Sequence, residues 1–99
     1  MKHSKLFIFA IMTTLAVSGC KHQAATYPTD TLTTKNGSQL PITFFNHASL
    51  AIETEVRHIY IDPISQYADY ASLPKADLIL ITHSHYDHLD SAAVAALST

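Results

Sequence analysis

Four metal-competent side chains fall within six positions near the end of the chain. They are His83, His85, Asp87 and His88, in the run Thr82-His-Ser-His-Tyr-Asp-His-Leu-Asp90. In extended backbone, residues two apart project the same way, so His83 and His85 can share one metal ion. Once the chain turns, the adjacent Asp87 and His88 can face a second position close by. Imidazole with carboxylate suits zinc, and also iron or manganese. A closed thiolate site is excluded, because the only cysteine is Cys20. Structural zinc takes four protein ligands and catalytic zinc about three plus water, so two ligands per ion make half a site. The plain alternative is a histidine-rich surface loop. Against it stands the setting, with an apolar strand-like run before the motif and a helix-forming run after it.

Those elements must position the motif. Asp77 leads into Leu78-Ile-Leu-Ile-Thr82, which is apolar on both faces, the mark of a buried interior strand. Asp90 is expected to cap a short alanine-rich helix, Ser91 to Leu97, rather than to bind metal. Upstream, Ile42 to Asn46 and Ser49 to Glu55 read as the strands of a hairpin turning at Asn46-His47-Ala48. Arg57 to Asp62 reads as a third strand, ended by Pro63. Gln66 to Lys75 is a loop or short helix. The class is α/β with a strand-rich start. Strand ends opening into loops are where α/β proteins place sites. Asp62 ends its strand on the side the motif should occupy, and it either supports a metal histidine by a hydrogen bond or caps the Pro63 turn. Tyr86 lines the pocket or packs, and His58 faces solvent or a neighbouring layer.

The beginning of the chain has a different character. Lys2, His3 and Lys5 precede an apolar run from Leu6 to Val17, and Ser18-Gly19 are small. This is the layout of a secretory signal over 1–19. The run is too short for a comfortable membrane span, which takes about 20 residues. Residues 20–39 hold Cys20, then polar and threonine-rich chain with Pro28 and Asn36-Gly37. They lack helical or strand periodicity and read as a flexible linker, with His22 solvated. The foldable part is then 40–99, a marginal size without a disulfide. Removing Lys2 and Lys5 with the signal leaves four basic residues against eight acidic ones, so no nucleic-acid partner is expected.

Two family resemblances follow. Val17-Ser18-Gly19-Cys20 resembles the bacterial lipoprotein lipobox, which implies cleavage before Cys20, its lipidation, and a membrane-anchored protein of the cell envelope facing periplasm or exterior. His83-Ser-His-Tyr-Asp87-His88 matches the H-x-H-x-D-H motif of the metallo-β-lactamase superfamily. The stretches Ile42 to Glu53, Tyr60-Ile-Asp-Pro63 and Ala76 to Thr82 are similar to the branch with ascorbate-phosphate lactonase-like and N-acyl-phosphatidylethanolamine phospholipase-like enzymes. Asn46 stands where that branch usually has glycine.

The resemblance implies an αββα sandwich, of which this chain would be the N-terminal part, incomplete and inactive alone. It implies that His83 and His85 bind a first ion. Asp87 and His88 would bind a second, with Asp87 also the catalytic residue that steers or deprotonates water. His47 would lie near the active-site face, as a substrate or supporting residue or as a plain turn histidine. The implied cofactor is one or two zinc ions, with manganese or iron as alternatives. The implied activity is hydrolysis of a small-molecule or lipid-derived substrate. A non-catalytic metal-binding envelope lipoprotein, or a decayed gene fragment, is the other reading.

Overall fold

The computed structural model describes residues 26–99 of the chain. The expected signal segment, Cys20 and His22 lie outside the described residues. Among the described residues no helix is long and apolar enough to cross a membrane.

Five strands form one sheet in sequence order: β1 (Thr29–Thr33), β2 (Gln39–Asn46), β3 (Ser49–Glu53), β4 (His58–Ile61) and β5 (Leu78–Leu80). The first four make an antiparallel meander, and β5 runs parallel to β4. One helix follows, α1 (Ser91–Leu97). The described residues thus form a strand-rich mixed sheet with one short helix packed on it.

The register sorts the side chains. Cross-strand partners share a face of the sheet. Thr43, Ala51, Tyr60 and Ile79 are partners in turn and line one face. Against that face pack Tyr70, from a single 3-10 turn at Tyr70–Ser72, and Ala93 and Leu97 from α1. Ile42, Ile52, Ile59 and Leu78 form one row on the opposite face, and Phe44, Leu50, Ile61 and Leu80 form another. No element of the described residues covers this second face, and Phe44, Leu78 and Leu80 are exposed on it.

Two sequence expectations need correction. The flexible linker expected over 20–39 contains β1, and β2 begins at Gln39 rather than Ile42. Every residue of β1 is exposed, so apolar alternation could not reveal it. The signals present were β-branched Thr29, Thr31 and Thr33 and the Asn36-Gly37 pair. Gly37 adopts φ +84, which glycine takes without a Cβ clash, and its N–H closes the turn onto the Thr34 carbonyl at 2.9 Å. The second correction concerns Leu78 to Thr82. It forms a three-residue strand at the sheet edge, not a buried interior one, with Leu80 46 % exposed. Its apolar outer face belongs to the uncovered layer.

A seven-residue helix is too short to persist alone, so its ends and its docking decide whether it forms. Asp90 caps α1 as expected, accepting from the Ala92 N–H at 2.9 Å. Its other oxygen accepts from the Ser65 N–H at 2.8 Å, which ties the helix start to the β4–β5 crossover. At the far end, Lys75 Nζ donates to the Ala96 carbonyl at 2.6 Å, a cation on the negative helix terminus. The backbone N–H of Ser65, then that of Ala92, holds the Asp90 carboxyl below the usual carboxylate range against the opposing effect of burial.

Asp90→Ala is expected to lower stability by about 1 to 2 kcal/mol. A group whose folded pKa is depressed stabilises fully above its unfolded pKa and loses that contribution as pH falls through the folded one. The gap between wild type and Asp90→Ala in urea unfolding should therefore shrink in acid. Equal midpoints at neutral pH would contradict the role given to this cap.

Candidate metal centre

Three connections deliver side chains to one end of the sheet: the β2–β3 turn with His47, the end of β4 with Asp62, and the end of β5 with Thr82 and the motif. Parallel pairing of β4 and β5 sets their carboxyl ends side by side, with the Asp62 N–H on the Leu80 carbonyl at 2.9 Å.

Asp62 has no solvent exposure, and its carboxylate accepts three hydrogen bonds. The Thr82 N–H donates to Oδ1 at 2.7 Å, Thr82 Oγ1 donates to Oδ2 at 2.6 Å, and His88 Nδ1 donates to Oδ2 at 2.7 Å. Burial pushes its pKa up, but the bonds from Thr82 and His88 outweigh this and hold it below the usual range. An ionised carboxylate only accepts, so His88 Nδ1 carries the hydrogen and Nε2 is turned to the site. Thr82 spends its own hydrogen on Asp62. Its oxygen can then accept from His83 Nδ1, 3.1 Å away, which leaves His83 Nε2 as the ligating nitrogen.

The motif folds back on itself through a turn in which the His88 and Leu89 N–H groups both donate to the His85 carbonyl at 2.9 Å. The His83 ring lies 3.8 Å from that of His88 and 4.6 Å from that of His85. Asp87 Oδ2 is 3.2 Å from His47 Nε2 and 3.5 Å from His88 Nε2. Burial works to raise the Asp87 pKa, while its own backbone N–H, His88 and His47 together bring it below the usual range.

The donors fit a metal ion. Two sets of three have their ligand atoms within 4.8 Å of one another: His83, His85 and Asp87, and His47, Asp87 and His88. Bonds of about 2.1 Å in tetrahedral array would put ligand atoms roughly 3.4 Å apart, close to the His47–Asp87 and His88–Asp87 separations.

All four motif residues thus come together, with Asp62 behind them and His47 beside them. Other candidates stay out. Tyr86 is 91 % exposed and neither packs nor lines the cluster. Asp90 is spent on its cap. His58 pairs across strands with Glu53 at the other end of the sheet. Sequence reasoning missed Thr82 as the link between Asp62 and the histidines. Its signal was available only once the ends of β4 and β5 were known to be neighbours. Ser49 was missed too. It is buried, and its hydroxyl donates to the Asp62 carbonyl.

His47 and Asp62 are also the non-glycine residues with positive φ among those described, at 50 and 44. Aspartate and histidine are among the non-glycine residues that enter left-handed backbone more readily than most. Such conformations gather at functional sites, where the surrounding structure holds them.

Comparison with known proteins identifies the family. The family model for the beta-lactamase superfamily domain matches residues 41–97. A UPF0173 metal-dependent hydrolase of Flavobacterium johnsoniae is 43 % identical over 65 residues, covering 61 % of this chain and 29 % of that protein. A UPF0173 metal-dependent hydrolase of Bacillus pumilus is 39 % identical over 51 residues, covering 48 % of this chain and 22 % of that protein. The crystal structure of a candidate metal-dependent hydrolase from Parabacteroides distasonis superposes with a TM-score of 0.73 at 47 % identity, covering 75 % of this chain and 34 % of that one. The chain thus spans about a third or less of the length of these relatives. Matched over more than half of its residues by that family model, and carrying the clustered histidines and aspartate on the matching strand ends, the chain belongs to the beta-lactamase superfamily.

Proposed function

We propose that this chain is the metal-holding segment of a metal-dependent hydrolase anchored in a bacterial envelope. The observation that carries the reading is the fixed imidazole of His88. A buried, ionised Asp62 holds its Nδ1 and turns Nε2 toward the atoms of Asp87 and the neighbouring histidines. A surface loop rich in histidine has no need of a buried carboxylate behind it.

His83, His85, Asp87 and His88 would hold the ion, zinc by preference of the donor set, with manganese or iron as alternatives. When bound, such an ion supplies Lewis acidity toward a carbonyl or phosphoryl oxygen and lowers the pKa of water toward neutrality. The rest falls to the chain. Asp62 and Thr82 orient the rings of His88 and His83. Asp87, with its carboxyl held low, stays ionised across the neutral range and can steer a water by accepting its hydrogen bond. The substrate class is a small or lipid-derived ester, lactone or phosphodiester. The acidic balance of residues 20–99 disfavours nucleic acid. Lipidation at Cys20 would supply the anchor, more than one acyl chain being needed for stable attachment.

The segment alone is expected to hold metal without turnover. Among the described residues the site is open and one sheet face is uncovered, so no described element walls a substrate in. A second reading, a metal-binding envelope lipoprotein without catalysis, draws on the exposure of His83 and His85.

Three outcomes are expected. In equilibrium dialysis the chain binds zinc that a chelator removes, and a combined His83→Ala, His85→Ala, Asp87→Ala variant does not. Full occupancy in that variant would refute the assignment. Asp62→Asn, which tolerates the left-handed backbone, should weaken zinc binding by about 10- to 100-fold. Unchanged affinity there would show that Asp62 does not orient His88. Cys20→Ser should abolish labelling by a palmitate analogue in cells, and persistent labelling would remove the anchor from the proposal.

A further inference from the structure

We propose that Ser49 is a positioning residue of the metal centre. Its buried hydroxyl holds the Asp62 carbonyl, and so fixes the backbone that aims the Asp62 carboxylate at His88. This rests on the metal-dependent reading above and adds a residue from outside the motif that acts through Asp62.

Three observations carry it. The β3–β4 ladder ends at the pair Leu50 and Ile61, and Asp62 leaves the strand at φ 44. Aspartate enters left-handed backbone more readily than most residues, but a residue before proline is pushed toward extended backbone, and Pro63 follows. The conformation therefore has to be held by its surroundings. The second observation is what holds it, on both sides of the residue. The Asp62 N–H donates to the Leu80 carbonyl at 2.9 Å, and the Ser49 hydroxyl donates to the Asp62 carbonyl. Beyond Pro63, the Ile64 N–H donates to Tyr70 Oη at 3.3 Å. The third observation is burial. Ser49, Asp62, Pro63 and Ile64 are all buried, so water does not stand in for a lost bond. Without the Ser49 hydroxyl, Asp62 can relax toward extended backbone. That swings Cβ and draws the carboxylate away from His88 Nδ1, now 2.7 Å from it. The His88 ring is then free to turn, or to carry its hydrogen on Nε2 instead.

The competing role is that Ser49 satisfies a buried carbonyl and adds stability only. Ser49→Ala removes the hydroxyl. Ser49→Cys is the second variant, since it nearly keeps the volume and offers a weak donor. Tyr60→Phe is the control, because it also deletes a hydroxyl that donates to a carbonyl, that of Pro74 at 2.6 Å, on the same sheet face. The full 99-residue chain and the three variants would be compared by urea unfolding and by zinc affinity in equilibrium dialysis. In the metal-free chains, proton NMR would follow the His88 Nδ1–H resonance, which the bond to Asp62 shifts downfield and protects from exchange. Ser49→Ala and Ser49→Cys should weaken zinc by about 3- to 10-fold, short of the range for direct partners of a ligand, and should lose or broaden that resonance. Tyr60→Phe should lose stability while keeping wild-type zinc affinity and resonance. Wild-type affinity and an unchanged His88 resonance in either Ser49 variant would overturn the proposal, as would an equal loss of affinity in Tyr60→Phe. A wild-type chain that binds no zinc would instead bring down the metal-dependent reading, while the metal-free resonance would still report whether Ser49 orients Asp62.

Discussion

A carboxylate without solvent exposure must be fully satisfied or it unfolds its surroundings. Taking such a charge out of water costs several kcal/mol. Asp62 meets this requirement with two donors from Thr82 and one from His88. Its backbone is also used, the N–H on Leu80 and the carbonyl under the Ser49 hydroxyl. One residue therefore joins β3, β4, β5 and the motif. Moving any of them would strand a buried charge or its donors, so the position of His88 is set by the same constraint that sets the register of the sheet ends.

The consequences spread outward from there. Parallel pairing of β4 and β5 requires a crossover, and the crossover carries Tyr70 and the Ser65 N–H. Tyr70 packs on Tyr60 and Phe45, while Ser65 fixes Asp90 and with it the start of α1. Tyr60 lies deep enough that burial, with Tyr70 and Glu53 near it, pushes its pKa up to about 12, so it remains a neutral donor to the Pro74 carbonyl at 2.6 Å. The covered face is thus braced around the crossover and the helix. The opposite face has two complete apolar rows and no cover among the described residues. The site opens at the end of this sheet, where the ends of β4 and β5 meet the β2–β3 turn.

Much of this was legible in the chain. The motif announced itself because metal ligands are rare residue types and three histidines in six positions cannot be produced by packing needs. The hairpin around His47, the end of β4 at Pro63 and the cap at Asp90 were legible because turn and cap chemistry is local. Asp90 needs only the N–H groups of the next residues to be read as a cap. The run at Leu78 to Leu80 was read correctly as a strand but placed wrongly, because an apolar sequence records what a strand is meant to touch, not which neighbours the chain supplies.

Sequence by itself determined the donor set, the turn residues and the alternation that makes two-faced strands, since each depends on residues close along the chain. Tertiary structure alone decided that Thr82 bridges Asp62 and the histidines, that Asp62 is buried beneath His88 rather than merely capping a turn, and that His47 reaches Asp87 from 40 residues away. β1 belongs with these: its side chains are all exposed, so only pairing with β2 reveals it. The physical reason is the same in each case. Contacts between strand ends depend on sheet order and register, and those are fixed by which buried groups must find partners across the fold, a condition no short stretch of sequence states.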